Sequence, residues 1–170
     1  MFKVSYAAFQ SATLCRGKND TRHYVNGFHL DAEGFIVATD GAILFTGKVE
    51  TEAGESITVD VLGKAPSKFD YAEIDSTSAK FYSDKAGFLS ALAVRFVDCR
   101  YPDWRRVTKF TEGQVSSIGF AGSYLHALEK AGKFYGKKKS VKLEFQSATD
   151  ACRVALSDTD FIVLMPARIK

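Results

Sequence analysis

Cysteine is scarce in this chain, and long apolar runs are missing altogether. The three cysteines among 170 residues, Cys15, Cys99 and Cys152, are odd in number and widely spaced, with no CxxC. That pattern argues against a disulfide framework or a zinc site and predicts a reducing, cytoplasmic setting. No apolar stretch approaches the ~20 residues that cross a bilayer, so no membrane contact is expected. The start, Met-Phe-Lys-Val-Ser-Tyr, lacks a basic segment followed by an apolar one, which predicts no cleaved signal. The phosphate-cradling loops GxGxxG and GxxxxGK[ST] are absent, as is a nucleophile elbow. His23, His29 and His126 lack metal spacing, so no metal and no cofactor is expected. Asp158 and Asp160 read as ordinary acidic turn residues, and Asp40-Gly41 as a tight turn between strands. No catalytic set emerges, and the chain is read as a non-enzyme.

What is present is an ordinary globular composition, 46% hydrophobic and 25% charged. A chain of this length hides roughly two-thirds of its unfolded surface and needs no staples. The net charge of +3 conceals an asymmetry. Residues 1–94 hold 9 Lys and Arg against 12 Asp and Glu, whereas residues 95–170 hold 14 against 8. A polyanion would dock on the C-terminal part.

Local patterns divide the chain into units. Phe2-Lys3-Val4 has strand character, and Ser5 is placed to cap a helix from Tyr6 to about Cys15. Strand-like runs follow at Arg22–Leu30, Phe35–Thr39 and Ala42–Val49. From Thr51 to Val97 the pattern is strands only, with Gly63–Ser67 as a loop. Gln114–Phe120 reads as a strand. Ser123 would cap a helix reaching Phe134, with Tyr124, Leu125, Leu128 and Ala131 turned inward. Strands at Val141–Gln146, Cys152–Ser157 and Phe161–Met165 complete the chain. The first and last units share the order strand, helix, three strands. This predicts an α+β fold, antiparallel sheets with two helices on one face.

Five segments carry a resemblance. Arg22-His23-Tyr24-Val25-Asn26-Gly27 precedes the turn Val37–Gly41, and Tyr101–Val107 reads Tyr-Pro-Asp-Trp-Arg-Arg-Val. Ile118-Gly119-Phe120 with Ser123-Tyr124-Leu125 and the end Leu164–Ile169 follow in order. In these residues the chain resembles the bacterial sliding clamp, the beta subunit of DNA polymerase III. A clamp subunit has three domains, each of two strand-helix-strands halves, and this chain has room for about half of that. Residues 1–109 resemble the middle domain without its second-half helix. Residues 110–170 resemble the second half of the last domain. Ala42 and Ile43 stand where the family usually has polar or basic residues, and Ala167 replaces a larger apolar one.

The resemblance implies a DNA polymerase processivity factor that binds duplex DNA and replication-protein peptides as a homo-oligomer. Its DNA-facing candidates are Arg16, Lys18 and Arg22 after the first helix, and Lys130, Lys133, Lys137, Lys138 and Lys139 on and beyond the second. It also implies a peptide-binding cleft. Tyr24 and Val25 would line it together with Thr39, Gly41, Ala42, Ile43 and Leu44. Pro102, Arg106 and Val107 would supply another wall. Val163, Met165, Pro166 and Arg168 would supply the last. A Met- and Leu-lined groove suits adaptable recognition of apolar anchors. A ring would need free strand edges, and Phe88–Val97 is the expected one. A second reading keeps the cleft but forms no ring, giving a module that sequesters or recruits clamp-binding proteins.

Overall fold

The computed structural model describes residues 1–136 and 140–167. Strand β1 (Phe2–Ser5) leads directly into helix α1 (Tyr6–Cys15). Ser5 caps it as the sequence predicts, its hydroxyl accepting from Ala8 N at 3.2 Å. Next come β2 (Phe28–Asp31), β3 (Phe35–Thr39), β4 (Ile43–Lys48) and the two-residue β5 (Glu50–Thr51). The middle of the chain is a meander of β6 (Ile57–Val61), β7 (Tyr71–Ile74), β8 (Ser78–Ser83) and β9 (Gly87–Phe96). A single helical turn, α2 (Arg105–Thr108), precedes α3 (Gly122–Phe134). β10 (Lys142–Glu144), β11 (Cys152–Ala155) and β12 (Phe161–Leu164) follow.

The twelve strands of the described residues join one antiparallel sheet, in the order β10-β11-β12-β4-β3-β2-β6-β9-β8-β7-β1-β5. The last strand returns to the first third of the chain at β4, where Leu44 lies opposite Val163 and Phe45 opposite Ile162. Period-two alternation sends neighbouring residues of these strands to opposite faces. Ile36, Ala38, Phe45, Ile162 and Leu164 enter the main core with α1 and α3. Val37, Leu44 and Val163 face the other way and form a second, smaller cluster under Trp104.

Helices α1 and α3 lie side by side on the main core. They run antiparallel. Tyr6 at the start of α1 meets Phe134 at the end of α3, with ring centres 5.8 Å apart. The α3 C-terminus is fastened by Tyr135, whose hydroxyl donates to buried Asp160 at 2.7 Å. The same carboxylate accepts from Lys48 N at 2.9 Å and so ties α3 to β4.

Gly27 illustrates how close the packing is. A Cβ there would lie 2.4 Å from the carbonyl oxygen of Val59, part of the β6 backbone that β2 pairs with. A strand backbone has no rotamer with which to yield, so only glycine fits.

Several expectations are corrected. The run Arg22–Leu30 is not one strand, because His23–Asn26 forms a 3-10 turn before β2. Gln114–Phe120 makes no strand: its backbone is irregular. It does lie close to the last strands, since Ala167 N donates to Gly119 O at 2.8 Å. The α3 N-cap is Ala121, which offers no side-chain acceptor, rather than Ser123. Leu125 is 45% exposed, while Leu128 and Ala131 of the same helix are buried. The helical period puts Leu125 about 60° to one side of Leu128 and Ala131 about 60° to the other, and the core-facing stripe, with Tyr124 and Ala127, is centred on the Ala131 side. Strand β9 is not a free edge, because it pairs with β6 on one side and β8 on the other. The edges are β10 and β5.

Candidate peptide cleft and nucleic-acid face

Four separated segments converge on an apolar cleft of about 260 Å³ on the outer face of β3, β4 and β12. Tyr24 and Val25 reach it from the 3-10 turn. Thr39, Gly41, Ala42, Ile43 and Leu44 form the rim and floor at the β3–β4 turn. Pro102 and Val107 come from the strap of residues 101–108, and Val163 and Met165 from the end of β12. The volume is below the roughly 300–1,000 Å³ of drug-sized pockets and suits apolar anchor side chains of a peptide.

Arg22 and Asp103 also line this cleft. The resemblance implies a DNA-facing role for Arg22 and none for Asp103, although both sit inside the motifs that define the cleft segments. Arg106 and Pro166 do not line it. Arg168 lies outside the described residues.

The rim is built by a dense set of local bonds. Gly41 has φ +99°, a conformation that side chains rarely tolerate. Asp40 Oδ1 accepts from Ala42 N at 2.8 Å and Ile43 N at 3.0 Å. Thr39 Oγ1 donates to Ile43 O at 2.7 Å. Met165 N donates to Ala42 O at 2.9 Å, which places the Met165 side chain beside the rim. Tyr124 of α3 donates to Asp40 Oδ2 at 3.0 Å, so the helix and the rim are joined. Arg22 forks onto Asp20 at 2.7 Å and donates to Asp40 O at 3.0 Å. The pair holds the Asp20 carboxyl at about 2, through hydrogen bonds from the Arg22 side chain and backbone.

The strap is held to β2 and β3 by aromatic and ionic contacts. Tyr101 stacks on His29 at 4.3 Å with the rings 6° from parallel. Trp104 packs against Phe35 at 5.4 Å. Arg105 donates to Asp31 Oδ2 at 3.0 Å and to Glu33 Oε2 at 2.7 Å. Burial opposes ionisation of Asp31, but hydrogen bonds from Arg105 and Glu33 N outweigh it, and the carboxyl titrates below its usual range.

Burial pushes the His29 imidazole below 6.5, against the opposing pull of Asp31. His29 thus binds its proton less readily folded than unfolded. Its contribution to stability is full above pH 6.5 and declines as the pH falls through the folded value. An NMR titration of its ring protons is expected to give a midpoint below 6.5, with urea stability declining in the same acidic interval.

The DNA candidates are dispersed. Arg16 is committed to Asp60 at 3.0 Å, with only 20% of its side chain exposed, and also donates to Asn26 O. That leaves it poorly placed to meet a phosphate. Lys18 and Arg22 are exposed beyond the α1 C-terminus. Lys130 and Lys133 are exposed near the α3 C-terminus, at the opposite end of the antiparallel pair, and Lys133 bonds Glu129 at 2.6 Å. Lys137, Lys138 and Lys139 lie outside the described residues. The described residues hold no cluster of metal-ligating side chains and no helix long and apolar enough to cross a membrane.

No family model matches the chain, and no curated protein matches it in sequence. Solved structures do. A DNA polymerase III beta sliding clamp from Pseudomonas aeruginosa, bound to griselimycin, superposes with a TM-score of 0.63 at 15% identity, covering 99% of this chain and 66% of the clamp. The polymerase III beta of Caulobacter crescentus gives 0.60 at 14% identity, covering 98% and 66%. The beta subunit from Thermotoga maritima gives 0.54 at 13%, covering 99% and 65%. The fold is therefore the sliding-clamp fold, of α+β type. The chain is a shortened version of it and spans just under two-thirds of the length of these neighbours.

Proposed function

We propose that this chain is a non-enzymatic DNA polymerase processivity factor, a miniature sliding clamp that surrounds duplex DNA as a homo-oligomer and receives replication-protein peptides. The supporting observation is the cleft. Segments from residues 24 to 165 converge on one apolar groove in a chain shortened by about a third relative to its structural neighbours. Residues 1–109 act as the clamp's middle domain and 110–170 as half of its last, meeting where β4 pairs with β12. The basic residues on and near α1 and α3 meet phosphates, which are recognised without regard to sequence. The setting is cytoplasmic.

The sheet edges favour a second reading, a cleft-bearing module that forms no ring. β5 has two residues and β10 three. Residues 111–113 also run beside the β10 end, with Gly113 N donating to Phe145 O at 2.8 Å. Rings closed by head-to-tail strand pairing need two accessible edges.

Light scattering with and without duplex DNA separates the two. The ring reading expects several chains per particle and salt-dependent duplex binding. Changing Lys130 and Lys133 to Glu should lower the salt slope by about one unit per lost phosphate contact. Monomer alone, with and without DNA, removes the ring and leaves the module. Calorimetric titration with griselimycin and with a clamp-binding peptide tests what both readings share. No heat from either ligand removes both.

A further inference from the structure

One wall of the cleft is not part of the sheet. Residues 101–108 cross the outer face as a strap, and the backbone hydrogen bonds of residues 103–107 close on themselves. Side chains must therefore hold the strap in place. Its single turn has two faces. Pro102, Asp103 and Val107 line the cleft, while Trp104 and Arg105 turn to β2 and β3. Trp104 also sits in one cluster with Leu44 and Val163, the cleft floor. Wherever Trp104 goes, the wall and the cover of the floor go with it.

The apolar contacts of the strap are non-directional and tolerate sliding. The directional bonds converge on Asp31, whose residue is 6% exposed. Its Oδ2 accepts from Arg105 Nη1 at 3.0 Å and from Trp104 Nε1 at 3.4 Å. Its Oδ1 accepts from Glu33 N at 2.8 Å, which fixes the carboxylate plane through the β2–β3 turn. The Arg105 fork continues to Glu33, and the guanidinium lies 4.3 Å from the Trp104 ring centre. Charge-assisted, forked bonds of this kind set position as well as energy.

We propose that Asp31 is the positioning residue of the cleft: its buried carboxylate pins the strap through Arg105 and Trp104, and so sets the gap between Pro102 and Val107 on one side and Met165 on the other. The cleft part of this proposal rests on the peptide-binding reading above. The pinning part stands without it.

Trp104 is the only tryptophan of the chain, so its fluorescence reports the strap alone. Asp31→Asn keeps the shape of the side chain and its bond to Glu33 N, and removes the charge. Arg105→Ala removes the other partner, and Arg105→Lys keeps the charge but not the fork. All three variants are expected to shift Trp104 emission to the red and to raise acrylamide quenching severalfold. The far-UV circular dichroism of the sheet should stay as in the parent. Affinity for a clamp-binding peptide should fall about tenfold, the scale of one charge-assisted bond. The Asp31→Asn/Arg105→Ala double variant should lose little more than either single one. Unchanged Trp104 emission and quenching in all variants overturns the pin. A released Trp104 with undiminished peptide affinity overturns the positioning role. If the parent binds no peptide, the cleft reading fails, and the quenching result still decides the pin.

Discussion

Met165→Asp is expected to abolish binding of a clamp-binding peptide while the folded chain keeps the circular dichroism and urea midpoint of the parent. The asymmetry follows from exposure. Met165 is 44% exposed in the free protein, so a carboxylate there stays hydrated and folding is nearly unaffected. A peptide that fills the cleft covers that position, beside Ile43 and Val163. The carboxylate is then stripped of water in an apolar setting, where Arg22, the cation among the described lining residues, is already bonded to Asp20. Leaving a charge in such a place costs about 3 kcal/mol or more, at least a hundredfold in affinity. Calorimetry with the parent and the variant measures it. Equal affinities would place the peptide elsewhere. Leu44 and Val163 are unsuitable for the same experiment, since both are under 8% exposed and a charge there disturbs the fold itself.

Asp160→Ala is expected to cost about 3 kcal/mol of stability, read as a lowered urea midpoint. The residue is 7% exposed and its carboxylate accepts from Lys48 N, Tyr135 Oη and Thr159 Oγ1. Truncation leaves the first two donors without an acceptor in a packed environment, at about 1–3 kcal/mol each before relaxation. The bond also pins the end of α3 to β4, so α3 should become the first element to exchange its amide protons. Burial and the neighbouring Asp160 charge both raise the Tyr135 phenol, keeping it a donor across the accessible pH range. A midpoint within experimental error of the parent would show that the sheet holds α3 without this tie.

Much of the local structure was legible in the residues. Alternation in Ile57–Val61 and the short apolar run Phe35–Thr39 mark strands, and Ser5 before an Ala-rich run marks the α1 start. The four cleft segments were legible through their resemblance to the clamp motifs, since each motif is a contiguous run of residues. Asp160 was not legible. In sequence it is one more acid in the turn between two strands, and its role arises from Tyr135 and Lys48, 25 and 112 positions away. The Arg16–Asp60 pair was not legible for the same reason: nothing near Arg16 in the chain announces Asp60, 44 residues on. The positions of Arg22 and Asp103 in the cleft depend on loops folding toward each other, which no local period encodes.

By itself the sequence determined the element types, the capped start of α1, the loop at Gly63–Ser67 and the identity of the segments that meet at the cleft. These depend on backbone preference and on hydrophobic period, both of which act over a few residues. Tertiary structure alone decided which strands are neighbours. It put β9 inside the sheet, between β6 and β8, and left β5 and β10 at its ends. It denied Gln114–Phe120 a strand although its composition suits one, because a strand exists only where a partner supplies the other half of its hydrogen bonds. It also folded Trp104 and Arg105, 73 and 74 positions away, onto Asp31 at the end of β2, since a buried carboxylate acquires such partners only when distant cations and donors are folded onto it.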